Sequence, residues 1–201
     1  DSDKERIMSG FLSGKDERNR QRILEGTFVV FRDKGAEFTM NDLSKELGMS
    51  KKTIYTVFRD KESLLYTLVD YFFDSVKEDE GKILGDPDLN TRERLEKMLG
   101  VIPTSYSDID FSSVYLVREK YPRVEKRLSE RLESGWEKTL AVLDQGVEEG
   151  IFRPVDHVVF QITFEAAIER FLSGDELRRN HIRYPKALEE LTKIMVGGIL
   201  A

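Results

Sequence analysis

Residues 39–65, TMNDLSKELGMSKKTIYTVFRDKESLL, decide the reading of this chain. Two short helical pieces are joined by LGMS. At 100° per residue, Ile54, Val57 and Phe58 of the second piece fall on one arc, and Lys52, Tyr55, Thr56 and Arg59 on the opposite one. Thr39-Met-Asn-Asp42 has the form of a capping box, with Asp in place of the usual Glu or Gln. Leu43 and Leu47 make the inner stripe of the first piece, and Ser44 is small enough to let two helices cross closely. Gly48 accepts the positive φ of a tight turn. Ser50 caps the second piece, predicted to run to about residue 58. Two short helices, a glycine turn and a polar outer face on the second describe a helix-turn-helix. An ordinary helical hairpin with a solvated face has the same outline.

The chemistry of the outer face suits nucleic acid. Lysine and arginine neutralise phosphate. Threonine and tyrosine hydroxyls bond phosphate oxygens, and a threonine methyl can touch a thymine methyl. The N–H groups opening each helix also favour an anion. The net charge of −6 does not oppose this. Residues 1–62 hold 13 Lys/Arg against 12 Asp/Glu, whereas residues 63–201 hold 19 against 26. Screening limits the reach of distant charges to about 10 Å at moderate salt, so the local surface decides.

The remainder of the 201 residues predicts an all-α protein, with about nine helices and no alternating β-branched runs. A first helix over 16–34 carries Ile23, Thr27, Val30 and Phe31 at helical spacing and stops at Gly35. Asp60 caps a fourth helix to about residue 82. GDPDLN breaks the chain at 85–90, and a fifth helix covers 91–101. A loop around Pro103 leads to a short sixth helix near 111–119. Pro122 opens a long seventh helix ending near residue 150. An eighth covers 156–172, and Pro185 opens the last, to about residue 199. The domains are expected at 1–66 and 67–201. There are no cysteines, which excludes disulfides and thiolate metal sites. No apolar run approaches the ~20 residues of a bilayer span. The polar N-terminal stretch DSDKERIMSGFLSGKDERN lacks a secretory core, so a cytoplasmic protein without membrane partners is expected.

The eighth helix is apolar on two sides. Phe160, Phe164, Ala167, Ile168 and Phe171 form one stripe, and Val158, Ile162 and Leu172 lie on another face. A helix of that kind is central in its own core or buried against a partner. The last helix has one stripe, Leu188, Leu191, Met195 and Ile199, and its Gly197-Gly198 would admit a close backbone. A homodimer through these two long helices is expected. Catalysis finds no support. His157 and His181 lack metal-ligand spacing, and no Gly-rich phosphate loop, nucleophile elbow or His-Glu-x-x-His is present. No catalytic residue, metal or cofactor is assigned.

The run from Phe38 to Leu65, with Ile23, Phe31 and Gly35 before it, resembles the DNA-binding region of the TetR family of repressors. The matching positions are Thr39, Leu43, Leu47-Gly48, Ser50, Thr53-Ile54-Tyr55, Phe58 and Lys61-Glu62, within about residues 18–66. Lys52 stands where glycine is frequent, and Ser44 where alanine is frequent. The resemblance implies an N-terminal helix-turn-helix domain and a C-terminal helical domain for ligand binding and dimerisation. It implies that Thr39 binds phosphate at the start of the second helix and that Asn41 sits near the groove edge. Lys51, Lys52 and Thr53 would lie nearest the bases, following the Ser50 cap. Tyr55 and Lys61 match phosphate contacts, and Thr56 faces the same way. The implied partners are a double-stranded palindromic operator, a second copy and a small-molecule inducer. Tyr106, Phe111, Tyr115, Trp136 and Phe164 are candidate pocket walls, although cores use the same residue types. Glu165 either meets a cationic ligand, lies at an interface rim or pairs with an arginine such as Arg170. The rival reading is a helical protein–protein adaptor that keeps this fold without reading DNA.

Overall fold

The computed structural model describes residues 14–109 and 111–201. The first thirteen residues of the stretch judged for a secretory core lie outside the described residues. The protein is all-α, and among the described residues extended pairing is limited to an isolated bridge between Phe152 and Leu200. The chain divides into two compact units, one up to Leu68 and one comprising Val69–Ala201.

The first unit holds α1 (Gly14–Lys34), a 3-10 turn (Gly35–Glu37), α2 (Met40–Leu47), α3 (Lys51–Val57) and the head of α4 (Lys61–Gly85). Ile23, Thr27, Val30 and Phe31 are buried along α1, and α1, α2 and α3 pack on one another. Thr27 is tolerated inside because its hydroxyl donates to the Ile23 carbonyl at 2.6 Å. Gly35, at φ +65°, ends α1. A close approach of α1 and α2 lies at Gly26. A Cβ on Gly26 would stand 2.5 Å from Leu47 Cδ2, so this α1 glycine is what lets Leu47 seat. The Ser44 hydroxyl ties the turn, donating to the Met49 carbonyl at 2.5 Å.

The second unit holds the rest of α4, then α5 (Thr91–Leu99), α6 (Val114–Lys120), α7 (Pro122–Leu132), α8 (Glu137–Glu148), α9 (His157–Ser173), α10 (Glu176–Arg179) and α11 (Tyr184–Gly197). Leu95, Leu143, Phe152, Ile168, Leu188 and Val196 anchor its core. α5 packs on α8 and α11, and α9 on α11 and α6. Charged contacts run along α4: Arg127 and Arg131 reach Asp70 at 2.7 and 3.1 Å, and Arg131 also reaches Asp74 at 2.8 Å. Arg118 lies between Glu169 (2.5 Å) and Glu125 (2.9 Å), with Ser129 donating to Glu169.

Three expectations are corrected. The single long helix over 122–150 is two helices, α7 and α8. Gly135 adopts φ +77° between them, and its carbonyl accepts from Lys77 Nζ at 2.8 Å. A left-handed residue cannot continue a right-handed helix. The extra short α10 also lies beyond the elements expected. Finally, Leu172 turns into the core and does not share the outer face of Val158 and Ile162. Gly135→Ala is expected to cost about 1–2 kcal/mol through the left-handed backbone alone. Thermal unfolding should show this as a fall of several degrees in Tm, at about 2–4 °C per kcal/mol for a chain of this size.

Candidate nucleic-acid interface

The surface built around 39–61 begins with the cap of α2. Asp42 N–H donates to Thr39 Oγ1 (3.1 Å), and Thr39 N–H donates back to Asp42 Oδ2 (2.8 Å). The Thr39 hydroxyl adds a third bond to Asp42 Oδ2 (2.7 Å), and Lys34 Nζ reaches Oδ1 at 2.6 Å. The lysine, then the threonine hydroxyl and N–H, hold the Asp42 carboxyl well below the usual carboxylate range. Asn41 is exposed beside this box.

The turn and second helix follow from local chemistry. Gly48 takes φ +59°, its N–H returning to the Lys45 carbonyl. Ser50 then accepts from Thr53 N–H at 3.1 Å, with the Thr53 hydroxyl at 2.9 Å. Ile54 has 0% exposure and Phe58 is buried, so α3 turns its other side outward. Lys51, Lys52 and Thr56 are exposed, Thr53 is half-buried, and Tyr55 is 45% exposed. The Thr56 hydroxyl donates to the Lys52 carbonyl at 2.9 Å. Asp60 caps α4, accepting from Ser63 N–H at 2.7 Å, and that bond leads the causes lowering its pKa. Lys61 is directed at the chain itself, donating to the Ala36 carbonyl at 2.9 Å and to the Phe38 carbonyl. The structure thus brings a basic, hydroxyl-bearing face together on α3, flanked by the cap of α2.

The comparisons agree with this geometry. Residues 23–67 match the profile of bacterial regulatory proteins of the tetR family. The chain is 25% identical to an uncharacterised HTH-type transcriptional regulator, YvaF, of Bacillus subtilis, over 90% of this chain and 95% of that protein. Residues 23–67 thus form a DNA-binding domain of the tetR type. The chain is a DNA-binding transcriptional regulator of the helix-turn-helix class. Over 52 residues it is 42% identical to an HTH-type regulator of Staphylococcus aureus, a match covering 25% of this chain and 28% of that protein. The TetR-like fold extends over 95% of the chain. A TetR-family regulator of Cytophaga hutchinsonii superposes with TM-score 0.70 at 21% identity, covering 95% of this chain and 99% of the other. One from Haloarcula marismortui gives 0.70 at 18%, covering 92% and 100%. No helix of the described residues is long and apolar enough to cross a membrane.

The candidate pocket residues fall into separate groups. Tyr106 and Phe111 both meet Phe72, each at 5.4 Å between ring centroids, and Phe111 meets Tyr184 at 5.3 Å. Trp136 packs edge-on to Phe164 at 5.4 Å. Tyr115 lies under the Arg178 guanidinium at 5.7 Å. Glu165 accepts from Gln161 Nε2 at 2.8 Å, while Arg170 pairs with Glu176. Sequence reasoning missed Phe72 and Tyr184, which join the first group. Burial pushes the Tyr184 phenol pKa up.

Ser50→Ala is expected to cost about 1 kcal/mol, read as a lower midpoint in chemical unfolding. The depressed Asp42 pKa fixes the sign of its pH effect. Its contribution is present above the unfolded-state value near 4 and is lost as pH falls through the folded one. The stability difference between wild type and Asp42→Asn should therefore hold steady from pH 8 to 5 and shrink only in stronger acid.

Proposed function

We propose that the protein is a ligand-responsive repressor that acts in the cytoplasm as a two-fold homodimer on an inverted-repeat operator. The observation that carries the dimer is an uncovered apolar face on two neighbouring helices. Val158, Val159 and Ile162 of α9 are 63%, 63% and 56% exposed, and Ile194 of α11 is 70% exposed. Exposed apolar surface of this kind supports burial against a partner, and a second copy presents the same residues. Two-fold symmetry would set the recognition helices about one DNA turn apart, ~34 Å, or a multiple of it. The unit up to Leu68 would read DNA, and Val69–Ala201 would dimerise and take the ligand.

On that reading Lys51, Lys52 and Thr53 face base edges, and Asn41 and Tyr55 lie beside the backbone. The Thr39 and Thr56 hydroxyls currently give their protons to Asp42 and to the Lys52 carbonyl. Phosphate oxygens only accept, so each hydroxyl must turn its proton outward on binding. Tyr55 and the two lysines therefore carry more of the contact than these threonines. The ligand would settle among the aromatic rings and act through α4, a single helix with Leu64, Leu65 and Leu68 buried at its head. Control requires it to bind the two conformations with different affinity.

Selection of duplexes from a random library at near-physiological salt tests the reading, and an enriched inverted repeat is expected. Binding without sequence enrichment would favour the adaptor role. Tyr55→Phe should weaken all duplexes alike, whereas changing Lys52 or Thr53 should alter the preferred sequence. Ile194→Glu should convert the dimer to monomer by sedimentation and abolish operator binding at concentrations where wild type is saturated. The sole tryptophan, Trp136, offers a fluorescence readout for ligand titration.

A further inference from the structure

The capping box takes donors away from the segment that precedes it. Thr39 N–H, three residues beyond Ala36, goes to Asp42 Oδ2 at 2.8 Å. Asp42 N–H, four beyond Phe38, goes to Thr39 Oγ1 at 3.1 Å. In a continuing helical turn these donors would meet the Ala36 and Phe38 carbonyls. Both carbonyls receive the Lys61 ammonium instead, at 2.9 Å for Ala36 and in closer contact for Phe38. The same ammonium stands 3.9 Å from the centroid of the Phe38 ring, and that residue is 2% exposed. One cation thus holds two carbonyls and a ring face of a single short segment, through charge-assisted hydrogen bonds and a cation–π contact.

We propose that Lys61 is a positioning residue, locking residues 36–38 onto the head of α4 and so setting where Thr39 and α2 meet DNA. This rests on the DNA-reading function proposed above. It differs from the phosphate contact that family resemblance assigns to this lysine. A phosphate ligand acts through charge, and its loss reduces the number of counterions released. A strut acts through register, and its loss leaves that number unchanged. Because α4 runs unbroken from Lys61 to Gly85, a shift of its head carries the start of α2 with it.

Lys61→Met and Lys61→Gln in the full chain test this, using the operator from the library selection and amide exchange without DNA. Lys61→Met is expected to speed exchange at residues 36–42 tenfold or more, while α1 keeps its protection. Operator affinity should fall tenfold or more, with the slope of log affinity against log salt equal to that of wild type. Gln keeps N–H donors without the charge, and it should restore part of the protection and affinity, again at unchanged slope. It also serves if the Met variant fails to fold. A slope shallower by about 0.9 in either variant overturns the proposal, since that is the loss of one phosphate contact. Unchanged exchange at 36–42 overturns it equally. Failure of wild type to select any duplex would sink the DNA-reading function, and the exchange data would still decide whether Lys61 holds the segment.

Discussion

α3 spans seven residues, about half the length at which an isolated helix becomes even marginally stable in water. It exists because its surroundings force it to. Ile54 is fully buried, Gly48 turns the chain, and Ser50 satisfies a donor at the start. Everything presented to solvent by this helix is fixed by what its other side has lost. The orientation of Lys52, Tyr55 and Thr56 is thus a packing result before it is a chemical one. The same dependence explains Gly26. A glycine inside α1 costs about 1 kcal/mol against alanine, yet it leaves the space into which the Leu47 side chain fits.

What the sequence made legible around the site is local. The capping box, the Gly48 turn, the Ser50 cap and the inward arc of Ile54 and Phe58 all involve partners within a few residues, where spacing and residue type suffice. What escaped notice depends on distant partners. Lys61 meets carbonyls 25 and 23 residues away, and Lys77 meets Gly135 across 58. The amphipathic pattern runs through 133–136 without interruption, so only the glycine hinted at the break between α7 and α8. Gly26 stands in the sequence as a mid-helix glycine, but its partner Leu47 lies on another helix.

α9 illustrates a different limit. Periodicity reveals that two faces are apolar but not which one the chain itself covers. Phe160 and Ile168 are buried, whereas Val158, Val159 and Ile162 are not. At 100° per residue Leu172 falls about 40° from Ile168 and about 80° from Ile162, nearer the buried stripe, and it is buried. The aromatic residues of the second unit were identifiable as interior types. Their grouping through Phe72 and Tyr184 required the tertiary fold.

The Asp70 cluster separates two scales of salt sensitivity. Arg127 and Arg131 meet that carboxylate at contact distance with all three side chains about a quarter exposed or less, well inside the Debye length at any ordinary ionic strength. The lysines of α3 are open to water, and mobile ions compete directly for whatever they touch. Raising salt therefore strips the outer face long before it loosens the brace along α4. A titration that releases bound DNA reports on the reading surface, with the packing of the second unit still intact.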